Sequence, residues 1–163
     1  MIEQELAQLY DDYGARIYGY ILALVSNVSD AEEIMQDIFT AVYQSRRSPR
    51  DPERYLFRAA RNAAYSHLRW RRVRWNAQSH LEHQVVLRYE GGGDAPWHEG
   101  DAQRALLDLP VKHREVVVLK VLQGMTFEEI GDMLEISPNT AASRYRYAIE
   151  KLRASLDSEE QSE

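Results

Sequence analysis

The sequence predicts an all-α protein made of two small helical domains. Apolar residues recur at three- and four-residue steps through most of the chain, as on one face of an amphipathic helix. No segment shows the strict alternation of a half-buried strand. The stretch 76–100 loses the helical period and contains three consecutive glycines followed closely by a proline, a pattern typical of a linker. We therefore expect domains at residues 1–75 and 101–163, joined by a flexible linker at 76–100.

The first two helices are predicted from apolar periodicity and capping residues. Helix one runs from Gln4 to about Val25, and its apolar face consists of Leu6, Tyr10, Tyr13, Ile17, Tyr20, Ile21 and Leu24. Helix two is predicted to open at a capping box formed by Ser29 and Glu32. Its predicted inward residues are Ile34, Ile38, Ala41 and Val42. Helix two is expected to turn a polar face, which includes Glu33, Gln36 and Asp37, towards solvent.

Helix three is predicted to begin at Asp51 as N-cap, with Pro52 in its first turn. At 100° per residue, one stripe of this helix contains only arginines, an amide and a tyrosine: Arg58, Arg61, Asn62, Tyr65, Arg69 and Arg72. Two tryptophans, Trp70 and Trp75, lie beside the stripe and could stack on unpaired bases. An ordinary solvated face is the alternative, but such faces usually carry both signs of charge. The stripe therefore favours contact with nucleic acid.

The second domain is predicted to contain four helices. The first ends at Leu109, and the second runs from about Lys112 to Gln123, with Gly124 as the residue just past its end. A capping box formed by Thr126 and Glu129 opens a third helix that extends to about Leu134. The last helix starts at Ser137-Pro138 and extends from Asn139 to about Leu156.

The last two helices have the spacing of a helix-turn-helix. The final helix is expected to bury one face and to expose short polar side chains and arginines on the other. The inward residues are Ala141, Tyr145, Ala148 and Leu152, and the outward and flanking ones are Asn139, Thr140, Ser143, Arg144, Arg146 and Tyr147. The exposed polar side chains and arginines in the N-terminal half of this helix are of the kind that contact base edges in the major groove. A plain helical hairpin in a bundle is the alternative interpretation.

Charge is segregated along the chain, although the net charge of -6 taken alone argues against a nucleic-acid partner. Residues 1–45 carry 8 acids and 1 base, residues 46–88 carry 3 acids and 11 arginines, and residues 89–163 carry 15 acids and 8 bases. Every Lys or Arg position in residues 46–88 is arginine, whose planar guanidinium suits phosphate and base edges. The chain has no cysteine, which excludes disulfides, thiolate metal sites and a cysteine nucleophile. No apolar run is long enough to span a membrane, so we expect a cytoplasmic protein.

These segments, in their order and spacing, resemble the extracytoplasmic-function (group four) sigma factors of bacterial RNA polymerase. The similarity is carried by Leu9-Tyr10-Asp11-Asp12-Tyr13-Gly14, Asp30 to Phe39, Tyr55 to Asn62, Gly124 to Ile130, and Ser143-Arg144. The resemblance implies a region-two domain that binds core polymerase and the -10 element. It also implies a region-four domain whose helix-turn-helix binds the -35 element, and a function in directing polymerase to promoters and in opening them.

The resemblance also implies roles for individual residues and partners. Glu33, Gln36 and Asp37 would contact the clamp of the largest polymerase subunit, and Asn62 would line the pocket for a base flipped out of the non-template strand. The second domain would bind the flap of the second-largest subunit, and an anti-sigma factor would restrain activity. Promoter sequence does not carry over from relatives, because Tyr55 stands where they usually have tryptophan and Tyr147 where lysine or arginine is common.

Two other classes of function have weaker support in the sequence. A stand-alone helix-turn-helix regulator with an N-terminal sensing or dimerisation domain would bind duplex DNA without polymerase, which the net negative charge disfavours. An enzyme has little support, because no phosphate loop or nucleophile motif is present. His80 and His83 with Glu82 could be written as a metal cluster, but no further ligand stands at a defined spacing. We expect no cofactor and no metal.

Overall fold

The computed structural model describes residues 3–75 and 101–160. The chain divides into two compact units, Met1–Gly91 (unit one) and Gly92–Glu163 (unit two). Within the described ranges the regular elements are all helical, which confirms the predicted fold class. No helix in these ranges is long and apolar enough to cross a membrane. The predicted linker at 76–100, with the motif around His80 and His83, lies outside the described residues.

Unit one is built from three helices, α1 (Glu3–Val25), α2 (Val28–Ser45) and α3 (Pro52–Trp75), each of which contacts the other two. Its core combines the buried faces of all three helices. The rings of Tyr20 and Phe57 are both fully buried and meet edge to face, with their centroids 5.4 Å apart. Such a pair contributes about 0.5–1.5 kcal/mol beyond the burial of its area. This contact fixes α3 against α1.

The N-terminus of α2 differs from the sequence prediction. Asn27 is the N-cap: its backbone is extended, with φ -149°, and its side chain accepts a 2.9 Å hydrogen bond from the backbone N–H of Asp30. Ser29 lies exposed within the first turn, so the predicted capping box with Glu32 is wrong. Ser26 follows the end of α1 and has a left-handed backbone, with φ 56°. The next residue, Asn27, is extended and so occupies the N-cap position of α2.

Two predicted inward residues also prove to be exposed. The buried face of α2 runs along Ile34, Met35, Ile38, Phe39 and Val42, and Ala41 lies off it. Tyr10 of α1 is 55% exposed, although its ring packs edge to face on Phe39 with the centroids 5.1 Å apart. The start of α3 agrees with prediction, because the Asp51 carboxylate accepts a 3.2 Å hydrogen bond from the backbone N–H of Arg54.

Unit two contains α4 (Asp101–Asp108), α5 (Val111–Val117), α6 (Phe127–Leu134) and α7 (Pro138–Glu160), and α7 contacts the other three. The predicted helix from Lys112 to Gln123 is α5 followed by a wider π-helical turn over Val118–Leu122. Gly124, with φ 66°, then reverses the chain as predicted. The fully buried apolar residues at the centre of the unit are Val116, Val118, Leu119, Ile130, Ala141 and Ala148.

Candidate nucleic-acid and polymerase interfaces

The arginine stripe predicted on α3 lies on one solvent-facing side of that helix. Asn62, Arg69 and Arg72 are exposed, and the remaining members, Arg58, Arg61 and Tyr65, are half-buried. The Arg61 guanidinium lies over the Tyr65 ring, 4.5 Å from its centroid. Cation–π stacking of this kind holds both side chains along the helix surface. The stripe thus presents positive charge, an amide and an aromatic ring in one line.

The opposite side of α3 is anchored in the core of unit one. Leu56, Phe57, Ala60 and Ala64 are fully buried. At the start of the helix, Arg16 of α1 forms a 2.7 Å ion pair with Glu53. Because apolar packing and this ion pair hold the inner side, the stripe has a fixed outward orientation.

A polar cluster that the sequence analysis missed ties the second half of α3 to the other two helices. His67 Nε2 lies 2.9 Å from the Asp30 carboxylate of α2. Arg71 donates a hydrogen bond to the backbone carbonyl of Val25, the last residue of α1, and its guanidinium lies 3.9 Å from the same carboxylate. Arg71 therefore supports the fold and does not belong to the outward stripe. At 100° per residue it falls well away from that stripe, which is the signal that separates it from the other arginines.

An open pocket of about 450 Å³ lies where the end of α2 meets the start of α3. Its lining is rich in guanidinium groups and hydroxyls: Val42, Ser45, Arg47, Ser48, Pro49, Arg50, Asp51, Arg54, Tyr55 and Arg58. Tyr55 is 43% exposed at its rim. Asn62 is not part of this lining, so the structure does not bring the predicted base-binding amide into the pocket.

The predicted polymerase-binding residues lie together on the outer face of α2. Glu33, Gln36 and Asp37 are all exposed. Beside them, a groove of about 970 Å³ between α1 and α2 is lined partly by aromatic side chains, among them Tyr10, Tyr18, Phe39 and Tyr43. Burial, and then the nearby Glu32 carboxylate, raise the pKa of Tyr18. This face therefore combines negative charge with apolar surface, a combination that suits a protein partner.

The helix-turn-helix is formed by α6, a short turn and α7. The predicted capping box opens α6: the Thr126 hydroxyl accepts from the Glu129 backbone N–H at 3.1 Å, and the Glu129 carboxylate accepts from the Thr126 backbone N–H at 2.9 Å. Gly131 lies against the turn, where a Cβ would come within 2.7 Å of the Ile136 carbonyl oxygen. The glycine thus allows the chain to turn tightly from α6 into α7.

The N-terminal half of α7 presents the predicted reading residues. Asn139, Thr140, Ser143, Arg146 and Tyr147 are exposed, and Arg144 is half-buried. The Ser137 hydroxyl caps the helix by accepting a 3.1 Å hydrogen bond from the Thr140 backbone N–H. Ala141, Ala148 and Leu152 are buried against the rest of the unit. The predicted division into inward and outward faces holds except at Tyr145, which was expected to lie inward and is half-buried.

His113 of α5 packs against this helix, a contact that the sequence analysis did not predict. Its ring centroid lies 4.5 Å from that of Tyr147, and the Lys151 Nζ lies 5.5 Å from the Tyr147 centroid. Burial, and then the positive charges of Arg144 and Lys112, lower the pKa of His113. An imidazole whose charged form is disfavoured by its surroundings thus packs against one of the predicted reading residues.

Comparison with known proteins covers both units. The Sigma-70 region 2 family matches residues 9–74, and the Sigma-70, region 4 family matches residues 100–152. The RNA polymerase sigma factor CarQ of Myxococcus xanthus is 33% identical over 155 residues, which cover 91% of this chain and 87% of CarQ. The chain belongs to the extracytoplasmic-function sigma factors. It is also 27% identical over 168 residues to the ECF sigma factor SigW of Bacillus subtilis, covering 94% of this chain and 90% of SigW.

A solved structure supports the fold of this sigma factor. The sigma factor RpoE of Bartonella quintana, crystallised with the anti-sigma factor NepR, matches with a TM-score of 0.71 at 22% identity, over 95% of this chain and 96% of that one. Sigma factors are non-catalytic transcription factors that act with RNA polymerase in initiation. The region-two match spans the α2 face and the α3 stripe, and the region-four match spans the helix-turn-helix.

Proposed function

We propose that this sigma factor is a dissociable initiation subunit that binds core RNA polymerase, brings it to specific promoters and helps to melt them. The observation that carries the proposal is the separation of charge within unit one. Carboxylates and an amide are exposed on α2, and guanidinium groups are exposed on α3. One three-helix unit can therefore meet a protein on one face and a DNA strand on another.

In this proposal the outer face of α2 binds the clamp of the largest polymerase subunit through Glu33, Gln36 and Asp37. The neighbouring groove between α1 and α2 supports the assignment, because it adds exposed aromatic surface to the charged residues. Charge pairs of this type steer association and fix register more than they add affinity. The apolar groove would supply most of the affinity for the clamp.

The α3 stripe is proposed to bind the non-template strand at the -10 element. Arg58, Arg61, Arg69 and Arg72 would hold the backbone, while Asn62 and Tyr65 would contact an extruded base. Extruding a base costs a few kcal/mol of stacking. A preformed surface of stacking and charged groups offsets this cost without ATP. The arginine-lined pocket between α2 and α3 has room for a base and provides a second proposed receptor.

Unit two is proposed to bind duplex DNA at the -35 element through the N-terminal half of α7 and to contact the flap of the second-largest subunit. Ser143, Arg144, Arg146 and Tyr147 lie within two turns of one another, as major-groove recognition requires. The proposal includes domains at 1–75 and 101–163 with a linker at 76–100, a cytoplasmic location and an anti-sigma partner. The complex of RpoE of Bartonella quintana with the anti-sigma factor NepR supports that partner.

The test adds the purified chain to bacterial core polymerase and transcribes genomic DNA fragments. The expected result is a stable complex and discrete start sites that share sequences near -10 and -35. Glu33→Lys with Asp37→Lys should abolish the complex. Asp11→Lys, which reverses an exposed charge on α1, is the matched control and should leave the complex intact. No stable complex with core would refute the proposal, and tight duplex binding without polymerase would favour a stand-alone regulator.

A further inference from the structure

An exposed apolar patch lies near the C-terminal end of α3, outside the predicted stripe. It consists of Trp70, 66% exposed, and Val73, 74% exposed. The two residues are three apart on the helix and so are neighbours on its surface. Single exposed apolar residues are ordinary, but a tryptophan and a valine side by side form a continuous surface that a partner would cover.

Three guanidinium groups surround the patch. Arg74 lies over the Trp70 ring, 5.4 Å from its centroid, and Arg69 and Arg72 are exposed on the neighbouring turns. None of these three arginines forms an ion pair with a carboxylate in the described part of the chain. No acidic residue occurs in the sequence from Arg54 to Leu81. Among the residues that the structure describes, the aromatic ring is thus surrounded by positive charge without a paired carboxylate.

A nucleic-acid strand fits this surface better than an apolar protein face does. An apolar partner that covered the patch would have to desolvate the arginines without supplying negative charge. A single strand supplies a flat base for the ring and a phosphate for the neighbouring guanidinium groups. Arginine also stacks on aromatic rings, so it can stay beside Trp70 when a base lies against the ring.

The patch is offset from the stripe in a defined way. Val73 lies roughly 60° and Trp70 roughly 120° around the helix from the line of Arg58, on the side towards Asn62. Trp70 is eight residues beyond Asn62, which corresponds to about 12 Å along the helix axis. This length spans three to four nucleotides at the stacked spacing of about 3.4 Å. One strand can therefore contact both residues.

We propose that Trp70 and Val73 form a stacking platform for an unpaired base of the promoter strand, within about four nucleotides of the base at Asn62. This inference rests on the proposed binding of α3 to a single strand and extends it to a surface outside the stripe. Base stacking tolerates any sequence, because every base has a π face. The platform would therefore hold the melted strand without adding to promoter choice.

The test measures binding of the full chain to a fluorescein-labelled oligothymidylate, by anisotropy at low salt. Trp70→Ala should weaken binding about 5- to 150-fold, the change that corresponds to loss of one stacked base. Trp70→Phe keeps an aromatic face and should restore most of the affinity. Trp70→Leu keeps apolar surface without a π face and should bind as weakly as Trp70→Ala. Because Trp70 is largely exposed, none of these changes should alter the circular dichroism spectrum.

Several outcomes would overturn the inference. They are wild-type affinity in Trp70→Ala, full affinity in Trp70→Leu, and no binding of the oligonucleotide by the unaltered chain. Assembly with core polymerase, followed by gel filtration, separates this inference from the proposed function. If Trp70→Ala loses the complex with core but keeps its affinity for the oligonucleotide, the patch binds protein. If Trp70-dependent oligonucleotide binding occurs without any complex, the platform stands and the proposed function fails.

Discussion

Replacing Gly131 with alanine tests the close approach that shapes the helix-turn-helix. A Cβ at this position would lie 2.7 Å from the carbonyl oxygen of Ile136 and 3.2 Å from the backbone nitrogen of Pro138. Both neighbours are backbone atoms, so no side chain can rotate away. Either α6 or the turn must move, and α7 must move with the turn.

The magnitude follows from a comparison with Gly19 in α1, where an added Cβ meets nothing within 4 Å. Gly19→Ala should stabilise unit one by about 0.5–1 kcal/mol, because alanine is the better helix former. Gly131→Ala gains the same amount but suffers an overpacking cost of about 1–3 kcal/mol. The helix-propensity gain is common to both variants, so the difference between them isolates the clash at about 1–3 kcal/mol.

Hydrogen exchange measured by mass spectrometry reports each unit separately, which whole-chain unfolding of a two-unit protein does not. Relative to Gly19→Ala in α1, Gly131→Ala should reduce protection in α6 and the start of α7 by roughly 5- to 150-fold. Binding of the -35 element by the holoenzyme should weaken as well. If Gly131→Ala increases protection as much as Gly19→Ala does, the close approach to Ile136 is wrong.

Four further changes test the other assignments. Asn62→Ala should impair promoter opening, measured by the permanganate reactivity of unpaired thymines, more than it impairs binding in the closed complex. An equal loss in both would contradict the role of the amide. Arg146→Ala should weaken -35 binding by about 1–3 kcal/mol, and an unchanged footprint there would refute a base contact. Thr126→Ala should lower the free energy of local opening of α6, measured by hydrogen exchange, by about 1 kcal/mol. Unaltered exchange would show that the capping box is dispensable. Arg144→Gln should raise the pKa of His113 without restoring its usual value of 6.5, because burial is the larger cause; an NMR titration checks this.

The lowered pKa of His113 also contributes a pH dependence to the stability of unit two. The unfolded chain binds a proton at His113 more readily than the folded chain does, so folded-state stability falls as pH decreases below about 6.5. The stabilisation is fully present above that pH. Replacing His113 with glutamine should flatten the dependence, which exchange measurements on α5 and α7 at two pH values would show.

Features set by local sequence were predicted well. The capping box of Thr126 and Glu129, the N-cap at Asp51 and the reversal at Gly124 each depend on residues within one turn. The start of α2 was not predicted, because Asn27 and Ser29 are equally good caps and only the left-handed Ser26 decides between them.

Contacts between distant residues could not be read from periodicity. His113 and Tyr147 stack although they are 34 positions apart in the sequence, and Asp30 meets His67 across two helices. The π turn at Val118–Leu122 has i→i+5 hydrogen bonds, and no local residue pattern used in the prediction distinguishes such a turn from a continued α-helix. Sequence reasoning thus found the faces of the helices, and the structure was needed to pair them.

The cluster of Asp30, His67 and Arg71 has a consequence for redesigning promoter choice by exchange of α3. Outward residues such as Asn62 and Arg69 can be exchanged as a set, because their side chains are exposed. A graft of the whole helix would remove His67 and Arg71, leaving the Asp30 carboxylate and the end of α1 without these donors. Chimeras of this sigma factor should therefore exchange only the outward positions of α3 rather than a contiguous segment.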